Sequence, residues 1–175
     1  QHRGGKGVVG TDIKEEDIIE KLFVANTHDS LLLFTNLGKV HWLKIYQLPE
    51  AGRYARGSAI VNLVELAPNE RVTTLIPVKT FAPENYLFIT TLKGIVKKTS
   101  LEEFSNPRKG GIMAIELEHG DNLIGVELTD GKKQIILATA EGLAVRFDEN
   151  DVRSVGRTAK GVIGIRLKEK DLNRL

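Results

Sequence analysis

The chain has 175 residues, 41% hydrophobic and 27% charged, a composition of a soluble globular protein rather than a disordered one. Its 25 Lys and Arg against 23 Asp and Glu leave a net charge of only +2, so only the placement of charge can identify a nucleic-acid binder. The lack of cysteine excludes a disulfide scaffold, a thiolate-ligated zinc or iron–sulfur site and a thiol nucleophile, and apolar runs as short as Leu31-Leu32-Leu33-Phe34 cannot span a bilayer. The first residues, Gln1-His2-Arg3-Gly4, carry neither Met nor a signal-peptide core, so the chain reads as a piece of a longer protein.

In chain order, the elements repeat. Four segments align on Gly7, Gly57, Gly111 and Gly161, separated by 50, 54 and 50 residues. After each glycine the chain alternates in one phase: Val9, Thr11, Ile13; Ala59, Val61, Leu63; Met113, Ile115, Leu117; Ile163, Ile165, Leu167. That alternation predicts the same strand four times. Residues 12–22, with Ile13, Ile18, Ile19 and Leu22 on a rough stripe, read as a short helical turn or an acidic loop. A further strand is expected at 22–28, 72–78 and 122–128.

The turns Thr35-Asn36-Leu37-Gly38, Thr91-Leu92-Lys93-Gly94 and Thr139-Ala140-Glu141-Gly142 each separate two apolar stretches. They predict hairpins pairing 31–34 with 39–43, 87–90 with 95–99, and 135–138 with 143–147. The first strand of each is apolar on both faces, as fits a strand between neighbouring sheets. Units of about 50 residues with about four strands predict an all-β, propeller-like array of blades. The units run 7–56, 57–110 and 111–160, with a partial one at 161–175. Both ends cut the period, and the expectation is about half of a longer closed array.

Basic residues precede each repeat glycine: Arg3-Gly4-Gly5-Lys6, Arg53-Tyr54-Ala55-Arg56, Arg108-Lys109-Gly110 and Arg157-Thr158-Ala159-Lys160. Lys39, Lys97, Lys98 and Arg146 follow the hairpin turns. Acidic residues cluster elsewhere, in Glu15-Glu16-Asp17, Glu102-Glu103 and Asp148-Glu149-Asn150-Asp151. A basic loop recurring once per blade makes a belt around a disc, matched to the phosphates of a bent duplex. Glycines there would let backbone N–H groups approach phosphates. The ten aromatic residues fall mostly in apolar strands, so a base-stacking platform for single strands is not evident.

The segment Gln1-His2-Arg3-Gly4-Gly5-Lys6-Gly7 resembles the seven-residue box of the DNA gyrase A subunit, commonly Gln-Arg-Arg-Gly-Gly-Lys-Gly. The resemblance continues through Lys14-Glu15-Glu16-Asp17, Leu22-Phe23-Val24-Ala25-Asn26-Thr27-His28-Asp29, Val61-Asn62-Leu63 and Gly94-Ile95-Val96-Lys97-Lys98-Thr99, over essentially the whole chain. It implies that subunit's C-terminal DNA-wrapping domain: a β-pinwheel of six blades with exchanged strands, of which this chain would cover roughly three and a half. It further implies a non-catalytic role, bending duplex DNA around a basic rim so that an ATP-dependent type II topoisomerase introduces negative supercoils. The implied partners are double-stranded DNA, the gyrase B subunit in an A2B2 assembly, and the remainder of the A protein, in the bacterial cytoplasm at the nucleoid and away from membranes. ATP and Mg2+ would act on other parts of the holoenzyme, with no cofactor or metal in this segment. The implied DNA-binding residues are Gln1, His2, Arg3, Gly4, Gly5, Lys6 and Gly7 of the box, with Arg53, Arg56, Lys97, Lys98, Arg108, Lys109, Arg146, Arg157 and Lys160 on the rim. His2 stands where the family usually has Arg, which makes that contact weaker and more pH-dependent near neutrality.

No catalytic set competes with this reading. The family's cleavage tyrosine lies in another domain, so Tyr46, Tyr54 and Tyr86 are read as structural or, for Tyr54, as a rim contact. His2, His28, His41 and His119 lack metal-site spacing, and Gly4-Gly5-Lys6-Gly7 lacks the length and the Ser/Thr of a phosphate-binding P-loop. The Asp148-Glu149-Asn150-Asp151 run reads as a solvated loop, and Trp42 as packing between blades. The competing functions are a propeller-like protein-interaction scaffold and the equivalent domain of topoisomerase IV, which usually lacks an intact box.

Overall fold

The computed structural model describes residues 21–52 and 57–167, and within them all regular structure is strand or 3-10 turn. The strands are β1 (Ser30–Thr35), β2 (Lys39–Lys44), β3 (Val72–Val78), β4 (Tyr86–Thr91), β5 (Ile95–Ser100), β6 (Ile112–Met113), β7 (Leu123–Thr129), β8 (Gln134–Ala138), β9 (Ala144–Asp148) and β10 (Val162–Ile163).

The three expected hairpins form, as β1–β2, β4–β5 and β8–β9. Their turns share one geometry. The N–H groups of Gly38, Gly94 and Gly142 each donate to the carbonyl of Thr35, Thr91 and Thr139 at 3.0 Å, with φ of +74°, +83° and +80°. Those values lie in the left-handed region that glycine enters at no steric cost. Each hairpin is closed at its open end as well. Ile45, Leu101 and Glu149 donate N–H to the carbonyls of Asp29, Asn85 and Lys133 at 3.1, 2.9 and 3.0 Å.

The first two hairpins are the centres of four-stranded sheets with one order, β3-β1-β2-β6 and β7-β4-β5-β10. The fourth strand of each comes from further along the chain. β6 follows the second hairpin yet pairs with β2 of the first, and β10 follows the third yet pairs with β5 of the second. The chain thus steps back one sheet before adding β7 to the sheet it left. Among the described residues β8–β9 remains two-stranded.

The step back is fastened at the turn glycines. Ala114 and Ile115 donate N–H to the Gly38 carbonyl at 2.8 and 3.2 Å, and Gly164 and Ile165 do the same to Gly94 at 2.9 and 3.3 Å. The backbones lie so close that a Cβ on Gly38 would stand 2.7 Å from the Ile115 carbonyl oxygen, and one on Gly94 2.5 Å from that of Ile165. On the other side of the contact, a Cβ on Gly161 would meet the Val96 carbonyl oxygen, and Ile95 Cγ2 at 2.5 Å.

Two expectations are corrected. The strand expected after Gly57 is instead a 3-10 turn, Ile60–Asn62, and no strand forms at 22–28. The equivalent segments, β6 and β7, each pair with an earlier hairpin. The copies after Gly111 and Gly161 are strands of only two residues each. Residues 8–13, the remaining copy, lie outside the described residues, as does most of 12–22.

Sheet faces explain the doubly apolar strands. Leu32 and Phe34 of β1 pack with Leu87 and Ile89 of β4, Leu123 and Phe104 in one core between the two sheets. Leu31 and Leu33 face the other way, with Leu43, Ile60 and Leu63. Phe88 and Val96 turn from the second sheet to Ile135, Leu137 and Phe147 of the third hairpin. Trp42 joins the first two sheets, donating its indole N–H to the Phe104 carbonyl at 3.0 Å.

Gly94→Ala and Gly161→Ala should each lower the unfolding free energy in urea by about 2–4 kcal/mol, through forced φ or backbone overlap. Gly156→Ala, with nothing within 4 Å of the added Cβ, should change it by less than about 0.5 kcal/mol. Equal effects at the three positions would contradict the close approach.

Candidate nucleic-acid interface

The rim residues of the sequence reading part company in the structure. The box, residues 1–7, and Arg53, Tyr54 and Arg56 lie outside the described residues. Arg108 and Lys109 are exposed on the loop that leads from the 3-10 turn Leu101–Phe104 into β6. Lys160 is exposed and Arg157 half-buried on the loop that leads from the turn Glu149–Asp151 into β10. The two loops are topological equivalents, each feeding the exchanged strand of a four-stranded sheet. Arg153 adds another exposed charge to the second loop, and Arg146 is exposed on β9.

Lys97 and Lys98 are corrected: both ammonium groups are inside the protein. Neighbours on a strand point to opposite faces, and here each face of β5 is covered. Lys97, 0% exposed, donates to the Ala114 carbonyl at 2.8 Å and to the Arg157 carbonyl. Lys98 points the other way, 3.2 Å from the Glu149 carboxylate, 3.0 Å from Asn150 Oδ1 and 4.4 Å above the Tyr86 ring. These lysines tie sheets together. Lys97 links β5 to the exchanged segment of the first sheet and to the second rim loop, and Lys98 links β5 to the third hairpin.

Arg157 is similarly engaged. Its N–H donates to Glu103 Oε2 at 3.3 Å and its Nη1 to the Met113 carbonyl at 3.1 Å, while its own carbonyl takes the Lys97 ammonium. It holds the rim loop in place more than it offers charge to solvent. Two repeat glycines are also reassigned, while Gly57 has nothing within 4 Å of an added Cβ. Gly111 packs against His41 and the Val40 carbonyl, and Gly161 against β5, so each serves strand exchange and not access by a phosphate.

Acidic residues enter the rim, contrary to the expectation that they lie elsewhere. Lys109 Nζ is 3.2 Å from Glu65 Oε1, and Lys160 Nζ is 3.7 Å from Glu116 Oε1, all four side chains at least half exposed. Each lysine reaches a glutamate 44 residues earlier in the chain, the shared spacing being the one sequence signal that could have found the pairs. Glu149 is not a solvated loop residue but fully buried, accepting from Thr129 Oγ1 at 2.8 Å and Lys133 N–H at 2.7 Å. Burial pushes its carboxyl up; the bonds from Thr129, Lys133 and Lys98 outweigh that and hold it below the usual carboxylate range.

His41 is buried against Glu70, with Nε2 3.0 Å from Oε1. Glu70 also accepts from Thr35 Oγ1 at 2.9 Å and Ala67 N–H at 2.7 Å, and these bonds with His41 outweigh the effect of burial, lowering its carboxyl. His28 lies in the turn before β1, edge-on to Tyr46. No group of three His, Asp or Glu side chains among the described residues is arranged to hold a metal, and no helix there is long and apolar enough to cross a membrane.

Burial pushes the Lys97 ammonium down from 10.5 to about 8, opposed by Glu103 and reinforced by Arg157. Between these values the unfolded chain keeps a proton that the folded chain has lost, so folding gains stability as pH rises, by about 1.4 kcal/mol per unit. In urea titrations the stability gap between wild type and Lys97→Met should therefore shift in the wild type's favour from about pH 8 to about pH 10. A constant gap would contradict a buried ammonium.

Comparison with known proteins agrees with this architecture. A family model described as the DNA gyrase C-terminal domain, beta-propeller, matches residues 1–26, 29–79, 85–130 and 133–173. The DNA gyrase A subunit of Salmonella typhimurium is 53% identical over 171 residues, covering 98% of this chain and 20% of that protein. Its counterpart in Halalkalibacterium halodurans is 48% identical over 165 residues, covering 94% and 20%. The chain thus spans about a fifth of the length of the curated relatives it matches. Among solved structures, a DNA topoisomerase IV C-terminal domain superposes with a TM-score of 0.75 at 36% identity, covering 82% of this chain and 45% of the other. A DNA gyrase A C-terminal domain superposes with a TM-score of 0.68 at 28% identity, covering 83% and 46%. With its matched segments, exchanged strands and repeated hairpins, this chain belongs to the family of DNA gyrase C-terminal domains of beta-propeller type.

Proposed function

We propose that this chain binds duplex DNA along the edge formed by its rim loops and bends it, as the wrapping domain of the gyrase A protein. The observation that carries the reading is the recurrence of exposed basic side chains, Arg108 and Lys109 then Lys160 and Arg153, on equivalent loops of successive sheets. Bending a duplex costs several kcal/mol, and phosphate contacts distributed along a rigid edge offset that cost without reading sequence. The fastening of each loop by the exchanged strand, and of one by Lys97, supplies the rigidity. The box, with Arg3 and Lys6, is the first contact of the same series, and Arg53, Arg56 and Arg146 extend it.

In the assembled enzyme the wrap presents a neighbouring DNA segment to the double-strand break, and its passage, driven by ATP on the B subunit, leaves negative supercoils. The partners are the remainder of the A protein and the B subunit in an A2B2 assembly in the bacterial cytoplasm, and this segment itself performs no chemistry. The topoisomerase IV domain is the nearer of the two fold matches above. The intact box and the 53% identity to a gyrase relative favour gyrase.

Fluorescence anisotropy with a duplex of about 40 base pairs over a salt series tests the reading. About eight phosphate contacts would give a log–log slope of roughly −7. Arg3→Ala/Lys6→Ala should weaken binding and flatten the slope by about 2. A flat response, with no loss in that variant, would favour a protein-interaction scaffold.

A further inference from the structure

We infer that Glu65 and Glu116 are built-in counter-ions of the DNA edge: they occupy Lys109 and Lys160 in the free protein, and phosphates must displace them. The inference rests on the wrapping reading and names which lysines exchange partners. Each pair joins the start of a repeat unit to its end. Glu116 lies just after β6, in the exchanged segment of the first sheet, and Lys160 just before β10, in that of the second. Lys109 stands just before β6 and Glu65 just after the 3-10 turn Ile60–Asn62 that follows the preceding repeat glycine. Each carboxylate therefore stands beside the lysine of a basic loop, within reach of any phosphate that lysine would bind.

Their exposure makes them replaceable. The side chains are 87% and 70% exposed in Lys109–Glu65 and 63% and 50% in Lys160–Glu116. Exposed pairs of this kind hold weakly and are screened by salt. A phosphate arriving at either lysine meets a carboxylate within a few ångströms, and repulsion at that range is enough to change affinity several-fold. Two matched glutamates thus keep the edge from binding every duplex tightly and leave a grip that salt and competing contacts can release. In the partial unit after Gly161, Arg166 follows Ile165 as Glu116 follows Ile115, both isoleucines being bonded to a turn glycine carbonyl, so a cation stands there at the position of the counter-ion.

The test uses the full chain and the same duplex. Glu65→Gln and Glu116→Gln should each raise affinity about threefold at low salt, with the gain shrinking as salt rises. Glu84→Gln makes the same charge change at an exposed site in the β3–β4 connection, and should change affinity by less than about twofold. Lys109→Ala and Lys160→Ala should weaken binding and each flatten the salt slope by about 1. If the lysine variants weaken binding while the glutamate variants match Glu84→Gln, the counter-ion inference is overturned and the wrapping reading stands. If the lysine variants bind like wild type, these loops are not the DNA edge and both fall.

Discussion

An exchanged strand can lie beneath a neighbouring hairpin only because glycine stands on both sides of the contact. On the hairpin side, Gly38 and Gly94 present a carbonyl to two N–H groups of the arriving chain, with no Cβ between the backbones. On the arriving side, Gly111 and Gly161 pass against the second strand of that hairpin. Gly142 has the same turn geometry but nothing near its added Cβ, and no exchanged strand meets its hairpin among the described residues. Turn conformation alone thus accounts for one glycine; the others answer to conformation and packing together. The apolar core between the sheets depends on this fastening, because Ala114 and Ile115 enter it directly after β6.

The same step places the charges. A loop that must cross from one sheet to the previous one lies at the periphery, and its polar residues stay in solvent. A residue on the central strands lies between sheets, whatever its chemistry. That is why Arg108, Lys109 and Lys160 are exposed while Lys97 and Lys98 are buried and bonded. Burying an ammonium is costly; two carbonyls and the charge of Glu103 offset part of that cost for Lys97, and the remainder shows as a lowered pKa. In return it joins two sheets and a rim loop.

The hairpins were legible because each carries its own local signals: a Thr-x-x-Gly turn between two apolar runs. Of the extra strands expected from the repeat, 72–78 forms as expected, 122–128 forms one residue later, and 22–28 does not form. Pairing partners were not legible. The backward step joins residues far apart in the chain, and alternation around Gly57 and Gly111 looks alike although one segment forms a 3-10 turn and the other a strand. The site was half readable. Loop charges could be placed by their proximity to the repeat glycines, whereas Lys97-Lys98 misled, because two adjacent lysines normally mark a solvated strand. The doubly apolar β4 beside them carried the opposite signal. The paired glutamates stayed hidden because their lysines lie 44 residues away.

One mechanical claim is central: a rigid repeated edge bends duplex DNA in a fixed sense. Linking number measures it most directly. A nicked circular plasmid is sealed by ligase with increasing amounts of the chain, stripped of protein and resolved by gel electrophoresis. The expected result is a shift in linking number of one constant sign that grows with bound protein and is lost with Arg3→Ala/Lys6→Ala. An unchanged linking number at protein levels that saturate the same plasmid would contradict it.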